Sequence, residues 1–576
     1  MRFFSVAYAI CALSLLVPAA SASAQQEDGP ALPSGPAWAE YPELIIHNAK
    51  IITVDDAFSI KSAAAIKDGR FVYVGDDGAV LARRGPETRV VDLDGQTVMP
   101  GMSDTHNDIA ADAEDWLIRV DLSEATSISE ILQLLRERAA ETPEGAWVLG
   151  SRGWWEYELE EQRVPHRREL DAAVPDHPAC IPGPHYQICN SRALDIAGIT
   201  PETPDPPSGQ IWRDDEGALT GLLMDAAGRM ASRHFPTATP EQRREGLKDL
   251  YARVNSWGIT SYREPGGSPE MAAVVHDLYR NGELTIRVDW AYHIDANTPA
   301  DQLDAVFEAL GPPGQSFGDG MFRADGIAEV GVDGAELTAF LREDYPGRPG
   351  YRGIQKVSQE QYNVLASAAA RHGWRLGPHA VGDAAIDQVL AAYAHANGQT
   401  PITDRRWMID HAFLVLPDHY AEIKNLGVLI NSQSMHNYQL GARILDAWKP
   451  PLAHMSERYR DWVDNGILFA NGSDGPVSYI ENPLVFIYAT VTRKGAWGGR
   501  LGPDQGLSRE EAIRSVTSWS ALTSFEEHAK GSIEPGKYAD FVVISDDILT
   551  VPVDRIRDIE VLATVLGGAE VYGSLE

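Results

Sequence analysis

Cysteine is scarce in this sequence: there are three residues in 576, and beyond Cys11 in the N-terminal apolar run only Cys180 and Cys189 remain. No finger-like cysteine spacing accompanies them, which argues against a cysteine-held zinc site. In an oxidising compartment the two could be bridged around Pro182-Gly183-Pro184, but spacing alone does not say whether their Cα atoms come within reach. Cationic charge is also short, with 49 Lys and Arg against 83 Asp and Glu for a net charge of −34. Without a basic footprint to release counterions, nucleic acid is excluded as a partner, and an anionic membrane surface is disfavoured. Long apolar runs are missing after the first residues, so no segment reads as a membrane span, which needs roughly 20 apolar residues.

What is present is globular in balance, 44% hydrophobic and 23% charged. At roughly 100–200 residues per domain the length allows about three domains or one large barrel with additions. The scattered acidity reads as a solvated surface. Met1–Ala24 carries one early cation, Arg2, an apolar run Val6–Val17 and the small residues Ala22-Ser23-Ala24. That order predicts a cleaved signal peptide cut after Ala24, and therefore a periplasmic or secreted protein. Residues 25–41, rich in Pro, Gly and Ala, read as a flexible leader.

Strand-and-turn texture recurs at both ends: Leu44–Val54 and Ala63–Gly75, then Gly531–Ile544 and Val561–Tyr572. Residues 42–97 and 525–576 are expected to form one small β-sandwich side domain. Between them, eight apolar runs alternate with helical patterns such as Gln359–Arg371, Ala384–His395 and Arg509–Thr517. The runs are Val98–His106, Ile259–Glu264, Thr285–Tyr292, Ala324–Val332, Trp374–His379, Arg406–His411, Val428–Gln433 and Ile467–Asp474. The fold class expected is α/β, a (β/α)8 TIM barrel over residues 98–524 with a subdomain inserted after strand 1, at about 109–250.

Candidate metal ligands fall at the ends of these runs: His106 and Asp108 after the first, Glu329 in the fourth, His379, His411 and Asp474 closing the fifth, sixth and eighth. A barrel places its active site on that face. Any one of them alone would read as a core or turn residue; the joint pattern carries the inference. Imidazole nitrogen with carboxylate oxygen suits Zn²⁺ better than Mg²⁺ or Ca²⁺, which favour all-oxygen sets.

The segments Met99-Pro100-Gly101-Met102-Ser103-Asp104-Thr105-His106, Val332-Asp333-Gly334, His379 to Asp387, Asp410-His411-Ala412, Gly472-Ser473-Asp474-Gly475-Pro476 and Gly531 to Asp540 occur in order along residues 42–573. In these the chain resembles the amidohydrolase superfamily, most closely its third family, the branch similar to N-substituted formamide deformylases. His185 with Asn190-Ser191, and Gly150–Trp154, share the likeness. Two departures stand out. The family's His-x-His is His106-Asn107-Asp108 here, and Glu329 stands where the family often has a lysine that can be carbamylated. The resulting set resembles that of renal-type dipeptidases, distant members of the superfamily.

The resemblance implies hydrolysis of a small-molecule amide by one or two divalent ions, with His106 and Asp108 on one metal, His379 and His411 on the other, and Glu329 bridging. It also implies that Asp474 is a metal ligand and the general base and acid. His185 is a candidate for the developing oxyanion, and Trp154, Arg152, Gln433 and His436 are candidates for substrate contact. Two alternatives stay open: a dipeptidase or lactonase on the same site, and a secreted inactive binding protein. A homodimer is the default assembly on base rates.

Overall fold

The computed structural model describes residues 41–576 apart from 157, 184–185, 207–208, 315–318 and 476–481. The expected signal peptide and nearly all of the leader lie outside the described residues. Eight parallel strands form the central sheet in chain order. They are β1 Met102–Asp104, β2 Ile259–Gly267, β3 Arg287–Tyr292, β4 Phe322–Gly331, β5 Arg375–Ala380, β6 Met408–His411, β7 Leu429–Ser432 and β8 Phe469–Asn471. β8 returns to β1, because beyond their ends Asp474 N donates to His106 O at 2.9 Å, Asp108 N donates to Gly475 O at 3.0 Å, and Asn107 pairs with Gly475. Each of the eight expected runs overlaps a barrel strand, with β2, β4 and β5 reaching past the expected bounds. They were continuous apolar runs because a strand in a parallel barrel is covered on both faces, by helices outside and by side chains inside.

The first run is two strands. Thr97–Pro100 pairs antiparallel with Phe541–Ile544 in a six-stranded sheet of the side domain, and only Met102–Asp104 enters the barrel. The break falls at Gly101, where an added Cβ would stand 2.2 Å from Thr260 Oγ1, so only glycine lets the chain pass this close to the next strand. The second sheet of the side domain holds Arg70–Gly75, Ala63–Lys67, Leu44–His47 and Arg89–Asp92. Segments from the two ends of the described chain thus share the six-stranded sheet.

Several helices of the barrel's outer ring begin at side-chain caps. Thr239 and Gln242 form a reciprocal capping box at Pro240–Ser256, Ser358 caps Gln359–His372, and Ser508 with Glu511 caps Arg509–Ser515. Apolar faces of the ring helices, with Leu365 on Gln359–His372, Val389 and Tyr393 on Asp383–Asn397 and Ile423 on Tyr420–Leu426, pack with the strands in the largest core cluster.

After β1 the chain leaves for an insertion built on a second six-stranded sheet. Its hairpin Ala179–Gly183 and Tyr186–Cys189 places Cys180 directly opposite Cys189, Cα to Cα 4.2 Å, and the two are joined by a disulfide. The other end of the barrel is closed by the returning chain. Arg287 donates twice to Asp540 at 2.7 and 2.9 Å, Arg406 twice to Glu527 at 2.9 and 2.5 Å, and Arg375 to the carbonyl of Thr523 at 2.5 Å. Phe525 lies beneath Arg323, Arg375 and Arg406, each guanidinium 4.4–5.4 Å from its ring centre. No helix among the described residues is long and apolar enough to cross a membrane.

Candidate active site

At the C-terminal ends of the strands, His106, Glu329, His411 and Asp474 each offer one ligand atom, all within 4.8 Å of one another. Glu329 reaches the centre because β4 carries a bulge there: Ala328 pairs with Gly377 and Val330 with Pro378, leaving Glu329 as the extra residue. A bulge of this kind re-aims a side chain at the rim of a barrel. Glu329 Oε1 lies 2.7 Å from His411 Nε2, 3.1 Å from His379 Nδ1 and 3.7 Å from His106 Nε2. Asp474 divides its two oxygens: Oδ1 lies 3.2 Å from His106 Nε2 and 3.9 Å from His411 Nδ1, while Oδ2 accepts from His436 Nε2 at 2.7 Å.

His411, Ala412 and Asp474 all hold positive φ, at 67°, 55° and 61°. Such backbone is sparsely populated by non-glycine residues, and it persists where the surroundings over-determine it. Here the surroundings are built from buried polar groups. Asp104, at the end of β1, accepts from His106 N, Asn107 Nδ2, Ser473 N and Ser473 Oγ, and so ties the β1 turn to the β8 turn. Asp410, before His411, accepts from Arg263 at 3.1 and 3.4 Å and from Asn431 at 2.8 Å. Gln433 Oε1 faces His411 Nδ1 at 3.0 Å, which leaves Nε2 of that ring turned to the centre.

Electrostatics follow from this packing. Burial would raise the Glu329 carboxyl, but hydrogen bonds from His379 and His411 and the charge on His411 and His106 hold it well below the usual range. Asp474 is likewise buried, yet His411, His436 and His106 keep it well below. Asp410 falls to about 2, as the charge of Arg263 and the imidazole of His106 outweigh burial. In the other direction, burial and the negative charge of Glu329 push Asp108 up to about 8.

The donor set fits a divalent cation. His106 is fully buried and neither ring nitrogen has a hydrogen bond, although carboxylate oxygens stand near both. Bare buried nitrogens facing anionic oxygens are what a cation would satisfy.

The grouping differs from the expected pairs. His106 and His411 share one cluster with Glu329 and Asp474, while His379 touches it through Glu329 and Asp108 is not brought into it. His436 contacts Asp474, and Gln433 is buried against His411. Trp154 lies in the core of the insertion beside Tyr186, ring centres 6.3 Å apart, and Arg152 is exposed. His185 lies outside the described residues. Glu264 is buried and accepts from Ala110 N at 2.9 Å, so it braces the first helix after β1. Unforeseen were Arg263, Asn431 and Ser473. A charged residue inside the apolar run of β2 was the available signal for Arg263, because a buried arginine needs a buried carboxylate.

Residues 89–572 match the family described as "Amidohydrolase family". The N-substituted formamide deformylase of Arthrobacter pascens is 27% identical over 551 residues, spanning 92% of this chain and 98% of that protein. Protein LONG AFTER FAR-RED 3 of Arabidopsis thaliana is 27% identical over 549 residues, spanning 92% and 91%. The crystal structure of an uncharacterized metal-dependent hydrolase from Pyrococcus furiosus superposes with a TM-score of 0.68 at 24% identity, over 88% of this chain and 100% of that one, and so shares the fold.

Proposed function

Because the chain belongs to the amidohydrolase family, we propose that it is an exported metal-dependent hydrolase cleaving a non-peptide C–N bond in a small amide, N-acyl or formamide substrate. The observation that carries this is the convergence of His106, Glu329, His411 and Asp474 with the buried nitrogens of His106 unbonded. The likeness to a formamide deformylase along nearly the whole of both chains supports the choice of bond.

His106, His411, Glu329 and Asp474 would hold the ion, with His379 at its margin through Glu329; zinc suits this mixture of nitrogen and oxygen donors. When bound, such an ion polarises a carbonyl and lowers the pKa of water toward about 7. Asp474 takes the proton from the attacking water and passes it to the leaving nitrogen. Its carboxylate is ready for this because its imidazole neighbours keep it ionised. His436 holds the second oxygen of Asp474, which fixes the direction of the first. Export is supported by the N-terminal segment and by a disulfide that needs an oxidising compartment.

The test is metal analysis of the purified chain with a hydrolysis panel of formamides, N-acyl amines, N-acyl amino acids, dipeptides and lactones. Stoichiometric divalent metal and turnover of the amides, both abolished by a chelator, are expected. Asp474→Asn loaded with metal should lose at least about 100-fold in kcat. Cleavage confined to dipeptides or lactones refutes the substrate class, and full activity in metal-loaded Asp474→Asn removes that residue from proton transfer.

A further inference from the structure

The last residue of β4 is Gly331, two beyond Glu329, and it pairs with His379 of β5. Cross-strand partners share a face of the sheet, and successive residues along a strand alternate between faces. His379 is turned inward to Glu329, while Val330, next to Gly331, lies in the largest core cluster outside the strands. Gly331 therefore faces the mouth of the barrel, with no side chain of its own. What covers it is Lys356. A Cβ added at Gly331 would stand 3.4 Å from Lys356 Cδ and 3.7 Å from Lys356 Nζ, and beyond the adjoining residues no other described atom comes within 4 Å of that point.

Lys356 is fixed where the long segment after β4 returns to the barrel. Its N–H donates to Val332 O at 2.9 Å, and its carbonyl accepts from Asn297 Nδ2 at 3.4 Å. The stem lies over the glycine and the ammonium ends at the exposed rim, as lysine stems cover surface while their heads stay in water. Among the described residues this ammonium makes no ion pair and no hydrogen bond. Arg342 and Arg443, on the segments after β4 and β7, are by contrast engaged, the first by Asp387 and Asp418 at 2.6 and 2.7 Å, the second by Glu336 at 2.8 Å.

The centre of the site presents the ionised carboxylates of Glu329 and Asp474, in a chain with 83 acidic and 49 basic residues. Such surroundings repel an anionic ligand unless a cation stands at the entrance. We propose that Lys356 is a specificity-determining residue, whose ammonium pairs with a carboxylate carried by the substrate. This rests on the hydrolase reading and narrows its substrates to amides bearing a carboxylate, of which N-formyl and N-acetyl amino acids are the simplest. The ammonium offers three donors on a flexible stem, so it reaches a carboxylate at the rim while the amide lies at the centre. Glycine at position 331 leaves the room in which stem and ligand lie side by side.

The experiment uses the full chain loaded with Zn²⁺ and a panel of N-formyl and N-acetyl amino acids, each beside its methyl ester, which adds little bulk and removes the charge. Amine release is followed in the wild type, Lys356→Met and Lys356→Arg. The wild type is expected to favour the acids by about tenfold in kcat/KM, the scale of one charge-assisted hydrogen bond. The preference should lie chiefly in KM, because the bond is made equally in ground and transition states. Lys356→Met should lose it and Lys356→Arg should keep most of it. Calorimetric binding of the same pairs to Asp474→Asn, with and without Lys356→Met, reads recognition without turnover and should show the same tenfold difference and its loss. Acids and esters handled alike by the wild type, or a preference that survives in Lys356→Met within about twofold, overturns the proposal. So does an equal loss on acid and ester in Lys356→Met, or a chain that binds neither member of any pair. Absence of turnover on every amide refutes the hydrolase reading, and the binding pairs still decide the role of Lys356.

Discussion

Replacing Arg263 by methionine removes the guanidinium bonded to Asp410, in a place where the two side chains are 2% and 0% exposed. Methionine keeps the apolar stem, so the change isolates the charge. Breaking one half of a buried pair costs about 3–5 kcal/mol, because the remaining charge stays buried without compensation. At about 2.1 cal/mol/K of unfolding entropy per residue, a chain of this size should lose about 1 °C in Tm per kcal/mol, so a fall of about 3–5 °C is expected.

The pH dependence has a definite sign. In the wild type the Asp410 carboxyl is depressed to about 2. Its contribution is fully present above the unfolded carboxylate pKa of about 4 and is lost as pH falls through about 2, on the order of 2 kcal/mol in all. In Arg263→Met the depression is gone and burial favours the neutral acid, so the deficit relative to wild type is largest at neutral pH and shrinks towards pH 4. Denaturant unfolding at pH 7 and pH 4 measures both. The double variant Arg263→Met with Asp410→Asn leaves no unpaired charge and should be more stable than Arg263→Met alone. An Arg263→Met protein within 1 kcal/mol of wild type at pH 7, or a double variant as unstable as the sum of the singles, would refute the reasoning.

Two further outcomes follow from packing. Gly472→Ala would place a Cβ 2.7 Å from His106 N and 2.9 Å from Asp104 Oδ1, against backbone on one side, so metal content should fall together with stability; a variant with full metal occupancy contradicts the placement of the β1 and β8 turns. Replacing Cys180 and Cys189 with serine opens a short loop and should cost the insertion about 2–3 kcal/mol by the chain-entropy model. Limited proteolysis should then cut within the insertion while the barrel remains resistant, and unchanged proteolysis counts against the bridge.

The barrel was legible because parallel strands buried on both faces leave unbroken apolar runs, and because ligand-type residues punctuate the ends of those runs. His106, Glu329, His411 and Asp474 were readable for that reason. The boundary at Gly101 was not, since two strands of different sheets joined by one glycine read as one apolar run. Nor was the exclusion of Asp108 from the cluster, because His-x-Asp looks like a ligand pair at any rotation of the turn, and the rotation is set by contacts with Gly475, which is adjacent in space beyond β8 but distant in sequence. Trp154 reads in the sequence as a candidate for substrate contact, and its burial among Val120, Leu135 and Ile181 depends on how the insertion folds on itself. Glu457 sits in Met455-Ser456-Glu457-Arg458-Tyr459, a stretch with the composition of a solvated turn. Its burial is a product of tertiary contacts with Phe413 and Arg493, and no local pattern records it.

The closure at the far end of the barrel also fixes an order of events during synthesis. Arg287, Arg375 and Arg406 belong to β3, β5 and the approach to β6, but their partners Asp540, Thr523 and Glu527 are translated more than a hundred residues later. The strand Thr97–Pro100 likewise awaits Phe541–Ile544. A nascent chain on the ribosome that stops short of residue 519 therefore lacks these partners of the three guanidinium groups and carries an uncovered sheet edge. The last tenth of the polypeptide supplies the contacts that latch this end of the barrel.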